Sequence, residues 1–186
     1  YIVYLTGKGN FRHEIAKSHV YKGNRKDVQK PRHLQTARDR MSSKWNAVVS
    51  SGEEADDLIA IEATRLGYDA CVASIDKDML QIPCWHFNIV KGTYEKVTPD
   101  GGMKFFYTQI LTGDTADNIK GLHGIGPKKA DKILLDAVSE EELWECVIKA
   151  YEGDEDRVVE NARLLWLRRE EGEIWLPPKA RSDSKQ

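Results

Sequence analysis

Seven carboxylates fall in three short runs, Glu54-Ala55-Asp56-Asp57, Asp76-Lys77-Asp78 and Asp114-Thr115-Ala116-Asp117. Oxygen donors in this number suit hard divalent cations: magnesium takes carboxylates while keeping several waters, so its sites draw on separate elements. Two such ions about 3.5 to 4 Å apart can activate water, orient a phosphodiester and stabilise its leaving oxygen. Without cations, converging like charges would raise one another's pKa values and weaken the fold. No His stands at a ligand-like spacing from the acids, which disfavours zinc. Each acid also has a plainer reading, Glu54 as a capping-box residue, and Asp56 and Asp57 as charges favoured by a helix dipole, worth about 0.3 to 1 kcal/mol each.

The third run leads into Gly121-Leu122-His123-Gly124-Ile125-Gly126-Pro127-Lys128-Lys129. Gly124 and Gly126 let a backbone come close to a ligand. A helix starting at Pro127 would aim free N–H groups outward, with Lys128 and Lys129 beside them, which makes a phosphate grip that reads no base sequence. The plainer reading is an ordinary turn between two helices. The first 44 residues hold eleven Lys and Arg against three acids, whereas residues 52 to 78 hold eight acids against Arg65 and Lys77. A basic arm beside an acidic centre suits a polyanion held near metal ions. Within the arm, Phe11-Arg12 and Tyr21-Lys22-Gly23-Asn24-Arg25-Lys26 interleave rings with cations, the combination that holds single strands or frayed ends, although charge runs are often only a solvated surface.

The elements that must position these groups alternate. Ile2-Val3-Tyr4-Leu5 reads as a buried strand with no lead-in before Tyr1, so something upstream is expected to be missing. A polar basic segment covers residues 10 to 30, a helix runs from Pro31 to Trp45, and Asn46 to Ser50 is a short strand. Ser51 is placed to cap the next helix with Glu54 completing a capping box, and Gly67 ends it. Ala70 to Ile75 is the continuous small and apolar run of a buried parallel strand whose carboxyl end delivers Asp76 and Asp78, where ligands bind in open α/β sheets. Phe87 to Val90 and Tyr94 to Val97 suggest a hairpin. Helices follow over Phe105 to Leu111, Pro127 to Leu135, a segment capped by Ser139 with Glu142, and Asp154 to Arg168, before a surface tail. The fold class is therefore α/β, a mostly parallel sheet with helices packed on it.

At 186 residues and net charge -2 the chain has the composition of a soluble globular protein. No stretch approaches the roughly 18 apolar residues of a membrane span, and nothing marks a signal peptide, so the expected compartment is the cytoplasm. Cys71, Cys84 and Cys146 are far apart and in no C-x-x-C arrangement. They are expected to be reduced and mostly buried.

Together these residues resemble the 5' nuclease superfamily of flap endonucleases, bacteriophage 5'-to-3' exonucleases and the 5' nuclease domain of bacterial DNA polymerase I. Gly52-Glu53-Glu54-Ala55-Asp56-Asp57 is similar to its G-x-E-A-D-D helix start and Ser74 to Asp78 to its second acidic strand end. Gly113 to Gly121 with Gly124 to Lys128 is similar to the entry into its helix-hairpin-helix element, and Tyr21 to Arg25 to the cationic motif of its arch. The likeness runs in family order from about residue 3 to 136. It implies a PIN-like core over 1–100 containing a basic helical arch at 8–44, a helical DNA-binding region over 101–176 with the helix-hairpin-helix at 114–136, and a tail at 177–186. It also implies two Mg2+ ions, Mn2+ being a plausible substitute, with Glu54, Asp56 and Asp76 mainly at the metal nearer the scissile phosphate, and Asp57, Asp78, Asp114 and Asp117 at the second. Lys22 and Arg25 would orient the phosphate, and Arg12, Tyr21, Lys26, Gly124, Gly126, Lys128 and Lys129 would contact DNA. The implied substrate is DNA with 5' ends, flaps or single-strand/duplex junctions, met by a monomer with replication proteins as possible partners, and the resemblance would make the compartment the cytoplasm of a bacterium or an infected host cell. RNA is a less favoured substrate. Two departures stand out: the family's opening strand with its Asp has no counterpart before Tyr1, and Leu5-Thr6-Gly7 replaces another Asp. They open an alternative, a catalytically incomplete DNA-structure-binding protein or one part of a split nuclease.

Overall fold

The computed structural model describes residues 1–25 and 29–183; Lys26, one of the expected DNA contacts, lies outside them. In chain order the elements are β1 (Tyr4–Lys8), α1 (Arg12–Ile15), α2 (Leu34–Trp45), β2 (Val48–Ser51), α3 (Ala55–Leu66), β3 (Cys71–Ala73), β4 (Trp85–Asn88), β5 (Thr93–Lys96), α4 (Pro99–Thr112), β6 (Gly113–Asp114), β7 (Ile119–Lys120), α5 (Pro127–Ile133), α6 (Glu140–Ala150), α7 (Glu155–Leu165) and α8 (Pro178–Asp183), with a 3-10 turn at Lys77–Gln81 between β3 and β4.

The helix boundaries follow local chemistry. Thr98 caps α4 by accepting from Gly101 N at 3.1 Å, with Pro99 in the first turn where its missing N–H costs nothing. Ser139 and Glu142 form the expected capping box of α6, and Asp154 caps α7. The box expected from Ser51 and Glu54 sits three residues later. Glu54 is the N-cap of α3 and Asp57 is the acid at the third position, its Oδ2 accepting from Glu54 N at 3.1 Å, because Ser51 is still paired in β2.

Most of the apolar core lies in the helical half. Phe106, Ile110 and Leu111 of α4 pack with Trp144 and Val147 of α6, Val158 of α7, and Trp166 and Trp175 beyond it. Helix α4 also presses on the 3-10 turn, where a Cβ at Gly102 would come within 2.5 Å of Gln81 O, so only glycine allows this approach. A smaller cluster of Ala60, Ala63, Val72, Met79, Ile82, Cys84 and Leu167 joins α3 to β3.

Strands occur in separate sets. β1 pairs in parallel with β2 (Tyr4 opposite Val48), β3 in parallel with β4 (Cys71 opposite Trp85), β4 and β5 form the expected antiparallel hairpin, and β6 pairs with β7. Both of the first two sets rest on α3, but among the described residues no strand pairing joins them into one sheet. Their faces are barer than the apolar runs imply: Ile2, Val48, Val49, Ile75 and Cys71 are exposed, and only Val72 of β3 is buried. Helix α3 shields one side, and apolar composition alone does not show which strands receive a cover on the other.

At Gly7 an added Cβ would run into the carbonyl oxygen of Ser50 on β2. Position 7 thus has no room for a side chain, a carboxylate included. We expect Gly7→Ala to lower stability by about 1–3 kcal/mol through this overlap, read as a reduced midpoint of thermal unfolding; an unchanged midpoint would show that β2 can move aside.

Candidate functional site

The N-terminus of α3, the carboxyl end of β3 and the β6–β7 hairpin bring the three acidic runs to one region. Asp76 caps the 3-10 turn by accepting from Asp78 N at 3.0 Å and remains exposed. Asp78 accepts from Gln109 Nε2 at 2.6 Å; Gln109 is itself held by Gln81 Nε2 at 2.8 Å, which also reaches Leu165 O. Both glutamines are buried. Asp114, also buried, accepts from Ala116 N at 2.7 Å and faces Lys77 Nζ at 3.5 Å. Asp56 lies in the first turn of α3.

Burial, and after it mutual repulsion, acts on two of the acids. Burial, reinforced by Asp76 and Glu54, pushes the Asp56 carboxyl up to about 6. Burial, then Asp76 and Asp114, pushes Asp78 up to about 7. The oxygen chemistry therefore fits a hard cation. The positions as they stand do not make a cage: among the described residues, no group of three or more His, Cys, Asp or Glu could hold a metal ion.

Protein cations already engage two of the acids. Glu54 Oε1 pairs with Lys22 Nζ, which also lies 3.6 Å from Asp117 Oδ2. The Tyr21 hydroxyl stands 2.9 Å from Glu54 Oε2 and 2.8 Å from Asp117 Oδ2 and can donate to either. Arg25 Nη2 reaches Asp117 Oδ1 at 2.7 Å, and its Nε donates to Ala116 O at 3.0 Å. The backbone continues the seam: Lys22 N donates to Asp117 O (2.9 Å), Asn24 Nδ2 to Thr115 O (2.7 Å) and Asn118 Nδ2 to Val20 O (2.9 Å). Lys22 itself sits at φ +53, a left-handed conformation that costs a non-glycine residue about 1–3 kcal/mol and needs surroundings that hold it there.

Four residues that the sequence singled out are buried or engaged within the protein. Asp57 is fully buried and its oxygens are committed: Arg12 Nη1 and Nη2 reach them at 2.7 and 2.8 Å, with Glu54 N and Arg168 N as further donors. In the metal-free protein these four donors take up both of its oxygens. Arg12 is equally buried, its Nε donating to Leu164 O and its Nη2 to Trp166 O, so it satisfies carbonyls at the end of α7. Tyr21 is buried too, so its ring offers no platform for a base. Phe11 is likewise occupied, with the Arg168 guanidinium 3.6 Å from its ring centroid.

The glycine turn joins the β6–β7 hairpin to α5, where the sequence suggested two helical segments. Gly124 takes φ +72, which a side chain would resist, and Lys129 Nζ folds back onto Gly124 O at 2.8 Å. Gly126 caps α5, and the Lys128 side chain is exposed. Sequence inspection missed Gln81 and Gln109, which look like surface amides until the packing of α4 against the 3-10 turn is known. It also missed Asn24 and Asn118, whose only signal is their place beside charged neighbours.

No family model matches the chain. It is 30% identical over 153 residues to DNA polymerase I of Deinococcus radiodurans, a match covering 73% of this chain and 16% of that protein. It is also 37% identical over 100 residues to the flap endonuclease Xni of Shewanella piezotolerans, covering 47% and 39%. In sequence the chain is thus similar to 5' nucleases. A structure of the bacteriophage T5 5'-exonuclease with divalent zinc bound superposes with a TM-score of 0.60 over 87% of this chain and 71% of that one; at 19% identity this shows a shared fold. The chain thus spans well under two thirds of the length of either curated 5' nuclease relative.

Proposed function

We propose that this chain is a metal-dependent 5' nuclease that hydrolyses DNA phosphodiesters at or near 5' ends, with flaps and single-strand/duplex junctions as substrates. The observation that carries the reading is the joining of the basic segment 20–25 to Asp117 and Glu54, which puts phosphate-binding cations beside the acids. Glu54, Asp56, Asp76, Asp78, Asp114 and Asp117 would hold two Mg2+ ions, or Mn2+ in their place, once drawn together. Bound there, the ions would supply a hydroxide and neutralise charge on the transferring phosphate. Lys22 and Arg25 would bind and orient that phosphate, and the Gln81–Gln109 pair would fix Asp78. Gly124, Gly126, Lys128 and Lys129 would steady the duplex through its backbone, independent of sequence. In this organisation residues 1–100 form the nuclease core, and 101–176 form a helical DNA grip in which the glycine turn leads into α5. The molecule would act as a monomer in the cytoplasm alongside replication proteins.

A radiolabelled 5' flap decides the matter. Cleavage with Mg2+ should disappear in an Asp76→Ala, Asp78→Ala double variant; cleavage no faster in the unmodified chain than in that variant would rule out catalysis. The lack of room for a carboxylate at Gly7 favours a second reading, a protein that binds flaps and does not cut them, alone or as one part of a split nuclease. Tight flap binding without cleavage would select it.

A further inference from the structure

We propose that the Lys22 ammonium is an internal counter-ion that occupies the place of a divalent cation between Glu54 and Asp117, so that metal entry and release of the Lys22 side chain are one exchange. The inference rests on the metal-site reading above. Lys22 Nζ pairs with Glu54 Oε1 and stands 3.6 Å from Asp117 Oδ2, bridging two acids from different elements, α3 and the hairpin loop. The contact is largely shielded, with Lys22 21% and Glu54 12% exposed, so water screens it less than a surface pair. Its geometry is imposed by the backbone: the left-handed φ of Lys22, its N–H bond to Asp117 O, and the flanking bonds of Asn24 and Asn118 keep the side chain over the acids.

A carboxylate that neutralises an ammonium cannot give the same lone pairs to a cation, and two positive charges will not share the space between Glu54 and Asp117. Binding of the ion and of Lys22 to this pair is therefore mutually weakening, and by linkage the reverse holds: an ion bound here frees the ammonium for another anion nearby. The free-standing anion proposed for the site is a DNA phosphate. A cationic side chain needed only after metal has bound is thus kept ordered beforehand, and the acids are kept from full mutual repulsion in the metal-free protein.

The test uses DNA-free protein and Mn2+ alone, with free Mn2+ followed by electron paramagnetic resonance. Lys22→Gln should bind Mn2+ roughly five- to tenfold tighter than the unmodified chain, while Lys22→Arg, which keeps the charge, should stay near it. Equal affinity in Lys22→Gln and the unmodified chain overturns the exchange and leaves the metal reading standing; no Mn2+ bound by either overturns both. Should Lys22→Gln fail to fold by circular dichroism, Arg25→Gln removes a cation from Asp117 alone. It should then give a smaller gain of about twofold, and an unchanged or weaker affinity overturns the inference.

Discussion

Replacing Arg12 by Met is expected to destabilise the protein by about 3–5 kcal/mol, because it strands a buried carboxylate. Asp57 is fully buried, and two of its four donors are the guanidinium nitrogens at 2.7 and 2.8 Å. Arg12 also satisfies the carbonyls of Leu164 and Trp166 at the end of α7, which would lose those partners in the same step. For a chain of this length each kcal/mol moves the unfolding midpoint by roughly 2–4 °C, so a fall of about 10 °C is expected. Arg12→Met combined with Asp57→Leu should recover part of the loss, since a buried ion pair can often be replaced by apolar groups at little cost. The competing expectation, that Arg12 assists at the DNA phosphate, makes the opposite forecast: an unfolding midpoint within about 2 °C of the parent and weakened DNA binding. Unfolding curves for the parent and the two variants separate the two.

The contrast between Arg12 and Lys22 shows what the residue string can and cannot carry. Both are cations near aromatic residues in one basic segment, and pattern alone gives them the same role. What divides them is the path of the chain after Arg12: α1 packs on α7, more than 140 residues away, and this contact turns Arg12 inward. Lys22 and Arg25 instead meet the Asp114–Asp117 loop. Helix caps were legible at α6, where Ser139 and Glu142 are set by local spacing, and less so at α3, where the pairing of Ser51 in β2 moves the cap to Glu54. The β4–β5 hairpin was also legible, Lys91 and Gly92 marking its turn, although the first strand is Trp85–Asn88 and not Phe87 to Val90. The exposure of Val48, Val49 and Cys71 was not, because composition records that a strand is apolar and is silent on which of its faces a helix covers.

Among the acids the same distinction has a consequence in pH. In metal-free protein, stability should be greatest near pH 5 and should decline toward pH 8, the reverse of a fold whose acids are all ion-paired. The Asp56 and Asp78 carboxyls are raised to about 6 and about 7, chiefly by burial and then by neighbouring acids, from an ordinary value of 3.8. Between about pH 4 and 7 the folded chain therefore binds more protons than the unfolded one, and the stability this supplies is complete below the lower value and lost as pH rises through the upper pair. The loss should be on the order of 2–3 kcal/mol, less than the two shifts taken singly, because both groups respond to the same Asp76 charge. Glu160 acts in the opposite sense: hydrogen bonds from Ser18 and Lys17 outweigh its partial burial and hold its carboxyl below the usual range, so its contribution fades on the acid side and sets the lower limb. Asp78→Asn keeps an oxygen that can accept from Gln109 Nε2 and removes the ionisation, so it should flatten the neutral limb and raise the unfolding midpoint at pH 8 in the presence of a chelator. A parent protein most stable at or above pH 7.5 under those conditions, or an Asp78→Asn variant with the same neutral decline, would mean that the acids of this site are not in conflict without a cation.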